Sequence, residues 1–448
     1  VYHIDRTAFA CAIIEGDMVF GSDSDILEEP WDTMLPPIVS RYLLVINVPL
    51  YRDKGGDIYA GELWFKDLAE HLCYLENFTL ACPILADPTD ELAIPLSSDP
   101  RFSRIAIAEL PTPRSVVGAI RGLPRTAWRL LRAVRSADII HASIAGWPVP
   151  YGWVVAPMAK LFGKKLVIVV ESAPWRLSVG LSQNLKARIT ASVYEHLARW
   201  CLRCADLAIF TQDEYRRSML ARKSDRGHVI HASWIDARVI LSDARAGAIW
   251  DEKLVGLAGK LSILFVGRLE SNKGIGILLD AIKVVAGDNI PVVLGILGSG
   301  ELAARCREVS AELRGPTRVV VLGTVAYGAP LFELLQRYHA IVLPSISDEQ
   351  PRVVYDAYSQ ALPVIASATA GMRDCIQENK TGWLIGPSNV ESVSTAIKRA
   401  AENIGELRRM GMDALVVARS MTHQRMHLER QRLLLELTQP IPGCAKPE

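Results

Sequence analysis

The chain has 448 residues, half of them hydrophobic and 22% charged, with a formal net charge of +1. That balance is globular and speaks against both a disordered chain and a general nucleic-acid binder, which needs a basic excess. The length is too great for one ordinary core and asks for two or three domains.

The eight cysteines are scattered through the chain. Reduced thiols of a cytosolic protein are expected rather than a disulfide framework. Cys201 and Cys204 have the spacing of a zinc or redox half-site, but no second pair completes it, and "ARWCLRCADL" reads as a helix. No uninterrupted apolar stretch reaches the ~18 residues of a membrane helix. The nearest, "YGWVVAPMAKLFGKKLVIVV", is broken by Lys160, Lys164 and Lys165. Asp5 and Glu15 interrupt any secretory leader, so a cytoplasmic protein is expected.

In chain order, residues 1–38 include an acidic, Pro-containing segment and read as an N-terminal extension. "YLLVINVPL" (42–50) is an apolar run followed by a Gly-bearing loop, with Gly55 and Gly56, and then a helix. Further runs lie at 78–85, 137–143, 165–172 and 205–211, with helical stretches between them. The stretch 114–135 is basic, partly amphipathic and free of acidic residues. It fits an anionic membrane surface, a lipid-diphosphate acceptor, or a solvated helix packed by Trp128, Leu130, Leu131 and Val134. Residues 236–259 are weakly patterned and read as a linker.

The strand–helix pattern restarts at "KLSILFVGRL" (260–269) and continues through 290–298, 317–325, 339–345, 362–367 and 382–387. Such alternation predicts parallel sheets covered on both faces. The expected organisation is an extension (1–38), an N-terminal α/β domain (39–240), a C-terminal α/β domain (241–420), and a last helix with a loose tail (421–448). Ligands bind outside the carboxyl ends of such strands, so the cleft between two facing domains is the expected site.

Four stretches there carry chemistry. After the strand ending at Gly267, Arg268 and Lys273 flank a short loop before a helix, a combination suited to a diphosphate. Gly298 and Gly300 form a turn that admits either a phosphate or plain chain reversal. In "PSISDEQPRVVYDAYSQALPVIAS" (344–367), Asp348 sits in a loop and Asp356 one to two turns along a helix. Asp348 suits either a sugar contact or a helix cap. Asp356 lies among Val353, Val354, Tyr355 and Ala357, so its carboxylate needs a partner. Gly371, in "SATAGMRDCI", opens a turn that either closes over phosphates or is an ordinary loop.

Taken together, Gly267-Arg268-Leu269 through Lys273-Gly274, Asp348-Glu349-Gln350-Pro351 with Asp356-Ala357, and Pro363-Val364-Ile365-Ala366 resemble the retaining group 1 glycosyltransferases. The resemblance is strong over 260–400 and architectural over 40–240. It implies a GT-B fold, in which two Rossmann-like doubly wound domains face a central cleft. It implies transfer of a hexose from a nucleoside-diphosphate sugar to a glycan or lipid-linked acceptor hydroxyl, with retention, for polysaccharide or glycolipid synthesis. It implies no metal or other cofactor, and peripheral contact with the inner membrane face is compatible with it. Arg268 and Lys273 would neutralise the diphosphate, Asp348 would touch the sugar and Asp356 would bind the ribose. Gln350 and Glu349 would lie beside the donor, Val325 would offer main chain to the base, and Gly56, Gly298 and Gly371 would border the phosphates.

Both motif positions that carry glutamate in the family are aspartate here, and Glu349 replaces a glycine. Asp is shorter by about 1.5 Å, which leaves Asp348 and Glu349 as alternatives for the sugar contact. Where relatives carry a histidine after "VVxT", this chain has Glu171 in "VIVVESAPWR". Glu171 fits either a carboxylate that stabilises charge at the sugar carbon or a structural one. His141, ending a strand, fits either the same cleft or a structural role. Other functions compatible with the fold are a non-catalytic nucleotide-sugar-binding member, a nucleotide-sugar epimerase and, on the Gly298–Gly300 turn alone, a dehydrogenase.

Overall fold

Continuous apolar runs become central parallel strands because helices cover both faces of such a sheet. The computed structural model describes residues 35–86, 93–112, 115–146, 149–176, 185–220, 225–256, 259–346 and 351–438. The expected extension (up to residue 34) and the tail after residue 438 lie outside the described residues.

The first sheet contains β1 (Tyr42–Val45), β2 (Leu50–Arg52), β3 (Ile58–Gly61), β4 (Phe78–Ala86), β5 (Ala93–Pro95), β6 (Ala106–Leu110), β7 (Ile139–Ser143), β8 (Lys165–Val170), β9 (Leu207–Phe210) and β10 (Gly227–Val229). Its order is β10-β9-β8-β7-β1-β4-β2-β3-β5, with β6 also beside β4. The central strands are parallel, and β3 runs antiparallel to β2 and β5. The connecting helices are α1 (Glu62–Tyr74), α2 (Val116–Ser136), α3 (Tyr151–Leu161), α4 (Leu185–Cys204) and α5 (Asp213–Met219).

Alternate residues of each strand feed two cores. Leu43, Ile140, Ile168 and Phe210 face α2, α3 and α4. Tyr42, Leu44, Val167 and Ile209 face the opposite way, towards α1. Ile38 is buried there, and its N–H donates to the Tyr74 carbonyl at 2.8 Å, so residues 35–38 belong with this domain.

Two expectations are corrected. The loop expected after the first strand is a β2–β3 hairpin, whose tip holds Gly55 and Gly56. The stretch expected to be a linker near 236–259 contains α6 (Asp243–Gly256). Trp250 of α6 is buried, and its Nε1 donates to the Ala361 carbonyl at 3.0 Å, which fixes the helix to the second core.

The second sheet holds β11 (Leu261–Val266), β12 (Val292–Leu297), β13 (Arg318–Gly323), β14 (Ala340–Leu343), β15 (Val364–Ser367) and β16 (Gly382–Ile385). All pairings are parallel, in the order β13-β12-β11-β14-β15-β16. This is a doubly wound sheet whose direction of winding reverses between β11 and β14, where such sheets bind ligands. Its helices are α7 (Ile275–Gly287), α8 (Ala303–Glu312), α9 (Ala329–Leu335), α10 (Val353–Ser359), α11 (Ala370–Cys375), α12 (Val390–Glu402) and α13 (Ile404–Arg419). The last helix, α14 (His423–Thr438), leaves this domain. Its Met426, Leu433 and Leu434 fill the core beside α1.

Candidate functional site

The loops after β11, β12, β13 and β14 are sewn together by main-chain hydrogen bonds. Gly267 N–H donates to the Leu297 carbonyl at 3.0 Å, and Leu269 N–H to the Ser299 carbonyl at 2.8 Å. Gly298 N–H donates to the Gly323 carbonyl at 2.6 Å. A Cβ on Gly298 would lie 1.9 Å from the Gly267 carbonyl oxygen, so only glycine lets these two turns touch. Gly274 is left-handed, with φ of 72°, and a Cβ there would meet the Pro344 carbonyl oxygen at 1.8 Å. Ile346 N–H completes this seam by donating to the Asn272 carbonyl at 2.9 Å. The loop of Arg268 and Lys273 is thereby pressed against the loop that leads to Asp348.

Arg268 is largely exposed and pairs with Glu270 at 2.7 Å. Lys273 ends the short 3₁₀ turn Ser271–Lys273, just before α7. Both cations stand at the switch between β11 and β14. Asp348, Glu349 and Gln350 lie outside the described residues.

Asp356 falls in the first turn of α10, not one to two turns along it, because the helix starts only at Val353. It is 5% exposed and accepts a hydrogen bond from Tyr327 Oη at 2.8 Å. Tyr327 is thus the partner its apolar neighbours demanded. Burial pushes the Asp356 carboxyl up to about 7, against the opposing pull of Tyr327, Lys66 and Arg352. Tyr327 and Val325 share the short loop between β13 and α9. One loop therefore carries both the expected base contact and the clamp on the expected ribose carboxylate. Gly371 is buried in α11, whose first turn is capped by Thr369 Oγ1 accepting from Met372 N–H.

On the facing domain, Glu171 follows β8 and its side chain is exposed. Its carbonyl accepts from Thr211 Oγ1 at 3.2 Å. Two residues on, Asp213 N–H at the start of α5 donates to Asp374 Oδ2 of α11 at 2.6 Å. This bond joins the carboxyl ends of the two sheets and sets Glu171 on the side of Gly371. Gly56, with φ of 95°, is exposed at the hairpin tip. His141 lies within β7, buried, with Nδ1 2.7 Å from Tyr42 Oη. Burial holds it well below the usual imidazole range, so it is a neutral structural residue.

Sequence reasoning missed Tyr327 and Lys66. Lys66 of α1 pairs with Asp236 at 2.9 Å and donates to the Trp234 carbonyl. Neither residue belongs to a short motif, and each meets its partner only through folding. Cys201 and Cys204 are free thiols on α4.

Away from these loops, Asp67, His71 and His427 bring ligand atoms within 4.8 Å of one another. That set resembles a metal centre in its donors. Arg430, however, lies 3.0 Å from His71 Nε2, and its charge opposes a second cation there.

Residues 260–403 match the family model described as "Glycosyl transferases group 1". An uncharacterized glycosyltransferase of Methanocaldococcus jannaschii is 29% identical over 163 residues, covering 35% of this chain and 41% of the relative. The chain thus aligns with about two fifths of that relative's length. Sucrose-phosphate synthase of Thermosynechococcus elongatus superposes with a TM-score of 0.65 at 18% identity, over 89% of this chain and 99% of that one. Anabaena HepE, in complex with UDP, gives 0.62 at 14% identity, over 88% and 99%. At these identities the structural likeness is one of fold. Residues 260–403 are thus similar to the group 1 glycosyltransferases, and the chain has the GT-B fold.

Proposed function

We propose that the protein transfers a hexose from a nucleoside-diphosphate sugar to an acceptor hydroxyl, on a glycan or lipid-linked saccharide, with retention at the anomeric carbon. The observation that carries the reading is the seam between the β11, β12 and β14 loops, which gathers Arg268, Lys273 and the approach to Asp348 at one switch point. HepE, of the same fold, has been crystallised with UDP and with UDP-glucose, which supports a donor of this class.

In this reading Arg268 and Lys273 neutralise the diphosphate in place of a metal ion. Asp356 holds the ribose, Val325 offers main chain to the base, and Gly298 and Gly371 border the phosphates. Asp348 or Glu349 takes the sugar. The bond from the anomeric carbon to the diphosphate oxygen breaks, and the acceptor oxygen bonds to the same face. The acceptor proton passes to the departing diphosphate, and Glu171 stabilises the positive charge on the sugar carbon. Closure of the two domains excludes water.

The test is product analysis with UDP-, GDP- and ADP-sugars, with the anomeric configuration read by NMR. An Arg268→Ala/Lys273→Ala variant should lose at least two orders of magnitude in transfer, the scale of removing preorganised donors from a developing charge. Unchanged transfer by that variant would sink the diphosphate assignment. Donor binding without transfer or hydrolysis would instead identify a non-catalytic member.

A further inference from the structure

Helices that join parallel strands run antiparallel to them, so α2 and α4 both begin at the carboxyl-end edge of the first sheet. Their first halves are apolar where they face solvent. On α2, Val117 and Ile120 are exposed, Ile120 at 61%, and exposed Trp128 follows just past the helix middle. On α4, Leu185, Ile189 and Val193 are exposed, Ile189 at 57%. Helix α3 packs between the two, so these residues belong to one side of the domain.

The charge on this side has one sign. Helix α2 carries five arginines and no carboxylate. Helix α4 opens with Lys186 and Arg188, and its single carboxylate, Glu195, is paired with Arg176 at 2.6 Å. The chain as a whole carries +1, so the cations are concentrated here and the remainder is net acidic. Arg132 stacks on exposed Trp128 at 4.7 Å, a pair with an apolar body and a cationic tip. Apolar side chains fringed by cations fit the boundary between acyl chains and anionic headgroups. A soluble polyanion would use the cations and leave the apolar residues unsatisfied.

We propose that the first halves of α2 and α4 form a docking face for an anionic lipid bilayer. This goes beyond a basic stretch at 114–135, because the second helix contributes both apolar and cationic residues. The face borders the cleft edge of the domain, beside the expected acceptor. That placement rests on the glycosyltransferase reading, whereas the lipid contact does not.

The test is co-sedimentation of the full chain with phosphatidylcholine vesicles, with and without phosphatidylglycerol, across a salt series. Binding is expected to need phosphatidylglycerol and to weaken with salt. Arg121→Ser and Arg125→Ser should each lower partitioning about fivefold, the factor for ~1 kcal/mol per cation near the surface. Ile120→Ser/Ile189→Ser, which leaves the charge unaltered, should abolish vesicle binding yet leave the unfolding temperature and retention on a polyphosphate column unchanged. Equal binding to neutral vesicles, no binding to either, or undiminished vesicle binding by the Ile120→Ser/Ile189→Ser variant would each overturn the proposal. Because donor binding is read separately by thermal shift with UDP-sugars, loss of one property leaves the other measurable.

Discussion

With its carboxyl pushed up to about 7 by burial, Asp356 changes charge across neutral pH. An ionised carboxylate accepts both ribose hydroxyls, whereas a protonated one does not. Donor affinity should therefore tighten by about an order of magnitude between roughly pH 6 and pH 8, and calorimetric titration checks this. The Asp356→Asn variant should bind weakly and without that dependence. Tyr327→Phe removes a hydrogen bond that holds the pKa down, so its profile should move to higher pH. Stability runs the other way. The folded pKa lies above the unfolded value, so this group's contribution is complete below about pH 4 and is lost as pH rises through about 7. Asp356→Asn should accordingly be the more stable protein at alkaline pH, by ~4 kcal/mol at most. A pH-independent donor affinity in the unaltered protein would remove Asp356 from the ribose site. The sequence exposed the carboxylate and its need for a partner. It did not expose Tyr327, because a contact between residues 29 apart depends on how two loops close.

The helix that returns from the second domain is held by polar groups in an otherwise apolar core. On α1, Asp67 and His71 are four residues apart, as are His423 and His427 on α14, so each pair lies on one helix face. Asp67 Oδ1 accepts from His423 Nε2 at 3.3 Å and His427 Nε2 at 3.1 Å, and His427 Nδ1 meets Tyr74 Oη at 3.2 Å. His427→Ala deletes a bond to a buried charge and should cost about 2–3 kcal/mol by urea denaturation. Burial holds both His427 and His141 well below the usual imidazole range. The unfolded chain takes up these protons near pH 6.5 and the folded chain does not. Stability from this source is therefore present above about 6.5 and falls below it, by ~1.4 kcal/mol per pH unit for each histidine. His427→Gln should remove one histidine's share of that slope between pH 5 and 6.5, and an unchanged slope would contradict its burial as a neutral group. Element type was legible wherever an apolar run was long: β4, β7, β8, β11 and β12 stand where the sequence put them. The β2–β3 hairpin escaped because strands of three and four residues leave no period to read. Helix α6 escaped because it buries only Ala246, Ile249, Trp250 and Lys253, too few for an apolar stripe. The α1–α14 contact joins residues some 360 positions apart and has no local signature.

At the scale of the whole molecule, the chain passes between the domains near residue 235 and again before α14, and the two passages are tied. His423 N–H donates to the Ile235 carbonyl at 2.8 Å. Asp236 accepts from Gln424 at 2.9 Å and pairs with Lys66 of α1. Movement of one domain against the other is therefore restrained at this end, while at the carboxyl ends of the strands the Asp374–Asp213 bond spans the cleft. Asp374 serves α5 as an N-terminal acceptor supplied from the opposite domain. Such acceptors contribute about 1 kcal/mol, which corresponds to roughly fivefold in the equilibrium between closed and open arrangements. Asp374→Ala should thus raise the donor KM about fivefold and enlarge the donor-free radius of gyration by small-angle scattering. The unfolding temperature should change little, because neither core is touched. Asp374→Asn keeps an acceptor oxygen and should recover most of the lost affinity. Identical scattering and KM in Asp374→Ala and the unaltered protein would mean that the cross-cleft bond does not hold the domains together. The closed arrangement would then depend on the paired passages alone, where Asp236→Ala would be the variant that opens it.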